Sequence, residues 1–130
     1  MGVISYRDLL VWQKAMNLVE DCYRISQEFP RHQQFGLTGQ LQRAAVSSPA
    51  NIAEGYGRQV SGDYLRFLSI ARGSLTELET HIQIVNRLSY LGDLETEKLL
   101  KATTEIGRML TSLFSSLKRR KSAAKLDPNS

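Results

Sequence analysis

The chain has 130 residues, of which 42% are hydrophobic and 23% are charged, a balance typical of one soluble globular domain. No run approaches the roughly 18 consecutive apolar residues of a membrane span, and the N-terminal MGVISYRD lacks the basic-then-apolar plan of a signal peptide. The single cysteine, Cys22, excludes a disulfide within the chain. We therefore expect a cytoplasmic protein without a membrane partner.

The net charge of +4 belongs to the C-terminal end of the chain. Five basic residues and one acidic residue follow Leu117, whereas residues 1–117 carry twelve of each sign. A solvated helix end would show the same pattern, because cations favour the C-terminal end of a helix dipole. A patch for nucleic acid or for an acidic partner is the other interpretation, and the charge pattern leaves both open.

The first predicted helix runs from about Asp8 to Phe29, where Pro30 should stop it. Small or apolar residues recur at alternating spacings of three and four, and they predict a core-facing stripe of Trp12, Ala15, Val19, Cys22, Ser26 and Phe29. Because Cys22 lies on this stripe, we expect a buried, unreactive thiol.

The second predicted helix, from about Leu37 to Tyr56, contains Pro49, where the missing backbone donor predicts a kink. Its apolar stripe is Leu37, Leu41, Ala45, Ser48, Ile52 and Tyr56. A polar stripe beside it comprises Arg43, Ser47, Asn51, Glu54 and Arg58. We expect these side chains to form a buried network with Glu77 and Glu79 of the next helix, and we favour this over a catalytic role.

The third helix carries the clearest pattern. Ser61 is its predicted N-cap and Gly92 its predicted end. A heptad-like rhythm places seven residues on the core face: Tyr64, Leu68, Ala71, Leu75, Leu78, Ile82 and Val85. Gly73, in the middle of the helix, costs about 1 kcal/mol relative to alanine, and close packing against a neighbouring helix is its expected reason.

The fourth helix should begin with a cap at Asp93 or Thr96. One side carries Leu99, Ala102, Ile106, Met109, Leu113 and Leu117, and a wider apolar margin adds Leu100, Leu110 and Phe114. The first helix is similarly broad, with Leu10, Val11, Leu18 and Ile25 beside its stripe. Such excess apolar surface on a small protein predicts a homo-oligomer.

Four helices, short loops and no β pattern predict an all-α fold, an antiparallel up-down-up-down four-helix bundle over residues 1–121. The segment 122–130 has no periodicity and is predicted to be a flexible tail. Its last four residues, DPNS, resemble a cloning-linker remnant.

The sequence offers little catalytic chemistry. A di-iron bundle needs Glu-x-x-His pairs on two helices, but His81 follows Glu77 by four residues and His32 lies in a predicted loop. No glycine-rich loop follows a strand, so the mononucleotide-binding motifs are missing. We predict no metal site, no cofactor and no enzymatic activity.

Basic residues off the core stripes are the candidates for binding RNA or DNA. They are Arg66, Arg72, Arg87, Arg108, Lys118, Arg119, Arg120 and Lys121. In a ring-shaped oligomer their copies would add into a larger positive field.

Three blocks of the chain resemble a known family. These blocks are YRDLLVWQKAMNL, FGLTGQLQRAAVSSPANIAEGYGR and YLRFLSIARGSLTELETHIQIVNRLSYL. In that order they resemble the bacterial four-helix-bundle proteins encoded in intervening sequences of large-subunit ribosomal RNA genes. The resemblance covers roughly Tyr6 to Arg119. Pro49 departs from the aliphatic residue expected at its position.

The resemblance implies a homopentameric barrel. The chain is also similar to the accessory variability determinant of diversity-generating retroelements, a basic pentamer that binds a reverse transcriptase and nucleic acid. Neither branch has catalytic residues to carry over. The first interpretation is thus a non-enzymatic oligomer associated with nucleic acid, and the alternative is a protein-interaction scaffold that does not bind nucleic acid.

Overall fold

The computed structural model describes residues 5–60 and 62–126, and that part of the chain is built from α-helices joined by short connections. Helix α1 spans Leu10–Ser26, α2 spans Leu37–Gly57, α3 spans Tyr64–Arg87 and α4 spans Asp93–Leu126. Short 3₁₀ turns, Tyr6–Asp8 and Arg31–Gln33, precede α1 and α2.

The four helices pack in a closed circuit. Each helix contacts the one before and after it in the chain, and α4 completes the circuit by packing on α1. Helices α2 and α3 run antiparallel, because Ser47 contacts Ser74 whereas Gly55, later in α2, lies against Phe67, earlier in α3. This arrangement confirms the predicted four-helix bundle.

The core follows the predicted stripes of α2 and α3 closely. All seven predicted core residues of α3, from Tyr64 to Val85, are buried. On α2 the middle four residues of the apolar stripe are buried, while Leu37 and Tyr56 at its ends are half-buried. The helix continues through Pro49, which is also buried.

Helix α1 faces the core with a stripe that is rotated by about one position from the prediction. Val11, Leu18 and Ile25 are buried, whereas Trp12 and Val19 are half-buried. Trp12 lies at the margin, where its ring meets Tyr6 edge-on with centroids 5.3 Å apart. Most of the apolar surface that was assigned to an outer face of α1 therefore belongs to the core.

The start of α1 also differs from the prediction. Asp8 belongs to the preceding 3₁₀ turn, where its Oδ2 accepts a hydrogen bond from the Ser5 amide at 3.1 Å. Ser5 Oγ in turn accepts from the amide of Arg7. The α-helix itself begins at Leu10 and ends at Ser26, four residues before Pro30.

Gly55, and not Gly73, is the glycine that close helix packing requires. A Cβ placed on Gly55 would lie 2.8 Å from Phe67 Cβ and 3.1 Å from Tyr64 Cδ1. Helices α2 and α3 can approach this closely only because Gly55 has no side chain. A Cβ on Gly73 would meet nothing within 4 Å, so the expected packing role of Gly73 is wrong.

Helix α3 ends at Arg87, whereas the sequence predicted an end near Gly92. Ser89 adopts a left-handed φ of 63°, and the amide of Tyr90 donates to the Val85 carbonyl at 2.9 Å. This is the bond pattern of a Schellman cap with serine in the usual glycine position. The Asn86 side chain holds the following turn by donating to the Leu91 carbonyl at 3.0 Å and to Asp93 Oδ1 at 2.8 Å. At the other end of α3, the predicted N-cap Ser61 lies outside the described residues.

Helix α4 has 34 residues, ten more than α3. It continues through residues 122–126, so the segment predicted to be a structureless tail is helical at its start. The possible linker remnant at 127–130 lies outside the described residues. At 1.5 Å per residue α4 is about 15 Å longer than α3.

Candidate nucleic-acid interface

The predicted polar stripe of α2 does not form one buried network. Its inner part, Ser47 and Asn51, is half-buried against α3. Ser47 Oγ lies 2.7 Å from Ser74 Oγ, and Asn51 Nδ2 donates to Ser47 Oγ at 3.1 Å and to the Ser47 carbonyl at 2.8 Å. This small hydroxyl–amide cluster, without a charged member, is the polar link between α2 and α3.

The charged members of the stripe are solvent-exposed. Glu54 Oε1 accepts from Arg58 Nε at 2.6 Å, one turn along the same helix, and Arg58 also approaches Asp63. The Arg43 side chain lies over Gly39 of its own helix. Long side chains reach water from these positions, so the expected buried arginine–carboxylate pairs are absent among the side chains that the structure describes.

The two carboxylates of α3 are also outside the expected network. Glu77 is exposed and its Oε1 lies 3.4 Å from Nε2 of the buried His81, four residues further along the same helix. Glu79 is half-buried and faces α4 instead of α2. The structure therefore separates Glu77 and Glu79 from the polar stripe of α2.

Most of the predicted nucleic-acid-binding residues gather toward one end of the bundle. The neighbours α3 and α4 run antiparallel, so the start of α3 lies beside the last third of α4. Arg72 is close to this end, because its guanidinium lies 5.8 Å from the centre of the Phe114 ring. Arg87 ends α3 at the opposite end, about 22 Å from Arg72 at 1.5 Å per residue, so the structure removes it from the cluster.

Arg66 belongs to a charged and aromatic group at the start of α3. Its guanidinium stacks 4.5 Å from the centre of the Phe67 ring, and the Arg58 guanidinium lies 5.4 Å from the same ring. Asp63 Oδ2 accepts from Arg66 Nη2 at 3.4 Å. The stacked ring is an aromatic-plus-basic element that the sequence spacing did not reveal, because its two arginines come from different helices.

The last turns of α4 supply the densest positive charge. Lys118, Arg119, Arg120 and Lys121 are all exposed and succeed one another around the helix. Arg120 is near Tyr64: burial raises the pKa of Tyr64 to about 12, Tyr56 adds to this, and the positive charge of Arg120 opposes it. The basic end of α4 therefore lies next to the start of α3.

A polar groove between α3 and α4 leads toward this basic end. It has a volume of about 600 Å³ and contains Arg72 together with Arg108, the last of the predicted cations. The rest of its lining consists of hydroxyl-bearing residues, one carboxylate and small or apolar residues: Leu75, Thr76, Glu79, Thr103, Thr104, Gly107, Thr111 and Ser112. Sequence reasoning missed the hydroxyl residues. The signal for them was the spacing of Thr104, Gly107 and Thr111 on one face of α4.

The single cysteine, Cys22, is buried in the core. Burial raises the pKa of Cys22 from 9.0 to about 12, with the nearby Asp21 adding to the shift, so the thiolate is suppressed at neutral pH. Within the described residues, no three histidine, cysteine or carboxylate side chains are grouped as metal ligands.

None of the described helices combines the length and the apolar character that crossing a membrane would require.

Comparison with known proteins identifies the family but not an activity. A crystal structure of a protein of unknown function from the S23 ribosomal protein family of Bacteroides thetaiotaomicron VPI-5482 has a TM-score of 0.74 and 24% sequence identity. The match covers 81% of this chain and 98% of the other, and at this identity it supports the fold alone. No curated protein matches significantly. The family model of the 23S rRNA-intervening sequence proteins matches residues 7–112. The chain therefore belongs to the 23S rRNA-intervening sequence protein family.

Proposed function

We propose that this protein is a non-enzymatic nucleic-acid-binding bundle whose contact surface is the basic end formed by the start of α3 and the last turns of α4. The observation that carries the proposal is that Arg66 and Arg72 of α3 lie beside the four consecutive cations 118–121 of α4 at this end, while Arg108 lies further along the α3–α4 groove. A solvated helix end would explain the charges of α4 but not the arginines that α3 places beside them.

Electrostatics supports this choice of surface. Residues 1–117 are neutral overall, so the positive field of the molecule is concentrated at one end and is not diluted over its body. Phosphates bound there would release condensed counterions, which makes affinity steeply dependent on salt. The ring of Phe67 holds the guanidinium groups of Arg58 and Arg66 beside this end of the bundle, and a base can stack on a guanidinium plane.

The test is the binding of a fluorescently labelled RNA hairpin and of a DNA duplex across ~50–200 mM salt. The full chain is compared with a variant in which Lys118, Arg119, Arg120 and Lys121 are changed to glutamine, which keeps the helix and removes four charges. If all four contact phosphates of the duplex, the slope of log affinity against log salt should become shallower by about 3.6.

A matched control variant changes four exposed cations at the opposite end to glutamine: Arg31, Arg87, Lys98 and Lys101. Its net charge is identical to that of the first variant, so a field effect without a defined surface would weaken both equally. Retention of the slope by the control locates the contact at the basic end. Absence of binding by the full chain at the lowest salt would refute the proposal.

We also propose that the protein assembles as a homo-oligomer, and the family resemblance implies a pentamer. Side chains that the bundle leaves exposed support it, among them Met16 (37%), Tyr23 (43%) and Val46 (41%) on the outer faces of α1 and α2. Light scattering at micromolar concentration should give a multiple of 14.7 kDa, with five copies as the specific expectation. A monomer would exclude assembly.

A protein partner is the second candidate function, and the opposite end of the bundle favours it. Phe35 (91% exposed) and Leu94 (67% exposed) lie by the two loops of that end. Gln33 Nε2 of one loop donates to the Tyr90 hydroxyl of the other at 3.5 Å. A reverse transcriptase is the partner that the retroelement resemblance suggests. The wild-type chain should co-purify with such an enzyme. Loss of co-purification on Phe35→Ser and Leu94→Ser, with retention by the glutamine variant of 118–121, would support this candidate.

A further inference from the structure

The α3–α4 groove carries an inference that rests on the proposed function and makes it more specific. Its walls combine two kinds of hydrogen-bonding group. Arg72 and Arg108 can only donate, because a guanidinium has no acceptor. The threonines on the same walls already donate their hydroxyl protons within the helices and are left as acceptors.

Each accessible threonine of the groove has already used its proton. Thr104 Oγ1 donates to the Leu100 carbonyl at 2.9 Å, Thr111 Oγ1 donates to the Gly107 carbonyl at 2.9 Å, and Thr76 Oγ1 donates to the Arg72 carbonyl at 3.3 Å. A hydroxyl has one proton and two lone pairs. These oxygens therefore face the groove as acceptors.

The arginines keep their donors available. Among the side chains that the structure describes, neither Arg72 nor Arg108 lies within ion-pair distance of a carboxylate, in contrast to Arg58 and Arg66. The Arg72 guanidinium lies 5.8 Å from the centre of the Phe114 ring, and this contact leaves the edge of the guanidinium free to bind an anion. Planar guanidinium groups bind phosphate oxygens in pairs of parallel hydrogen bonds.

Gly107 keeps the middle of the groove open. It lies between Thr104 and Thr111 on α4, and a Cβ at this position would meet nothing within 4 Å. The bundle itself therefore does not require glycine here, although glycine inside a helix costs about 1 kcal/mol relative to alanine. The missing side chain lets a ligand lie close to the α4 backbone.

A ligand that satisfies this groove needs anionic oxygens for the arginines and hydroxyl donors for the threonines at short intervals. The ribose–phosphate backbone of RNA has both, since each phosphate is followed by a 2′-hydroxyl, whereas DNA lacks the donor. We propose that the α3–α4 groove binds one RNA strand, with Arg72 and Arg108 on phosphates and Thr104 and Thr111 accepting from ribose 2′-hydroxyls. Glu79 on the α3 wall repels phosphate and so restricts where along the groove the phosphates can lie.

The test compares three unstructured oligonucleotides of one sequence on the full chain: RNA, DNA and 2′-O-methyl RNA, which retains the ribose oxygen but cannot donate. The wild-type chain should bind RNA roughly 10-fold more tightly than either analogue, the effect of two hydrogen bonds. Changing Thr104 and Thr111 together to valine should abolish this preference, so that RNA binds no more tightly than DNA.

Two further variants separate the contributions. Changing the same two threonines to serine keeps the hydroxyl groups and removes the methyl groups, and it should retain the RNA preference. This variant controls for altered packing of α4. Arg72→Gln with Arg108→Gln should weaken RNA and DNA binding together and make the salt slope shallower by about 1.4, the value for two phosphates of a single strand. Thermal melting monitored by circular dichroism verifies that each variant is folded.

The outcomes distinguish this inference from the proposed function. Equal affinity of the wild-type chain for RNA, DNA and 2′-O-methyl RNA would overturn the groove assignment and leave nucleic-acid binding at the basic end intact. An RNA preference that survives the valine changes would also overturn it, because another surface would then read the 2′-hydroxyl. Failure of the wild-type chain to bind any nucleic acid would overturn both.

Discussion

Ser47 Oγ and Ser74 Oγ lie 2.7 Å apart across the α2–α3 interface, at the point where arginine–carboxylate pairs were expected. Both hydroxyls have additional partners, since Ser74 donates to the Ile70 carbonyl at 3.0 Å and Asn51 donates to Ser47. Because Ser74 gives its proton to Ile70, Ser47 is the donor of the pair when both bonds exist together. The register of the two helices is thus linked through neutral groups.

Alanine at either serine should lower the free energy of unfolding by about 1 kcal/mol, because each single change leaves the other hydroxyl, buried at Ser74 and half-buried at Ser47, without its cross-helix partner. The double variant should cost less than the sum of the two single ones. Chemical denaturation of all four proteins of the cycle measures this coupling. Strict additivity would show that the two hydroxyls do not interact energetically.

Gly55→Ala and Gly73→Ala are a matched pair on neighbouring helices. The first should destabilise by roughly 1–3 kcal/mol, because the new methyl group overlaps Phe67 Cβ and one side of a tightly packed interface must shift. The second should stabilise by up to about 1 kcal/mol, because the methyl group meets open space and alanine favours the helix. Opposite shifts in melting temperature are expected. Shifts of the same sign would contradict the assignment of Gly55 as the packing glycine.

Ser89→Gly should stabilise the protein by about 1 kcal/mol, since glycine adopts the left-handed φ of 63° without steric cost. Gly62→Ala is the converse change, at a φ of 84°, and should destabilise by a similar amount. Urea midpoints report both. If glycine at 89 lowered the midpoint, the serine side chain would have to contribute to the cap.

The protein should lose stability in alkali. The pKa values of Cys22 and Tyr64 are raised to about 12 in the folded chain from 9.0 and 10.0, so the unfolded chain releases these protons at lower pH. Between pH 9 and 12 the unfolded state therefore binds fewer protons, and the free energy of unfolding falls as pH rises. Tyr64→Phe should flatten the decline above pH 10, and the exposed Tyr23→Phe should not. A flat profile up to pH 11 would contradict this expectation.

Glu54→Ala should have no larger effect on the melting temperature than Glu20→Ala, another exposed substitution. Glu54 and Arg58 form their ion pair in contact with solvent, so the arginine stays hydrated when the carboxylate is removed. A loss well beyond that of the control would restore the idea of a buried charged network around α2.

The pattern of α3 was sufficient to place its core, because the heptad-like rhythm is sustained over seven residues from Tyr64 to Val85. Helix α1 was ambiguous for a physical reason. Val11 and Trp12, or Leu18 and Val19, are adjacent apolar residues, and spacing alone cannot decide which of two neighbours faces inward. In the bundle the smaller Val11 faces the core, while the large Trp12 ring packs on Tyr6 at the margin.

The candidate site was predictable only in part. Spacing found the cations but could not tell which of them meet, because that depends on how far two antiparallel helices overlap. Arg72 joins Phe114 of α4, whereas Arg87 is carried to the far end. The glycines show the same limit: Gly55 and Gly73 have equal helix propensity, and only the neighbouring helix distinguishes them.

The closed packing circuit has a consequence for how the chain folds. Three of its four interfaces join helices that follow one another directly, through connections of ten, six and five residues. The α1–α4 seam, which includes the 2.9 Å ion pair of Lys14 with Glu105, joins residues about ninety positions apart. Its closure costs the most chain entropy. Local hairpins should form quickly, and the docking of α1 on α4 should set the rate at which the bundle becomes complete.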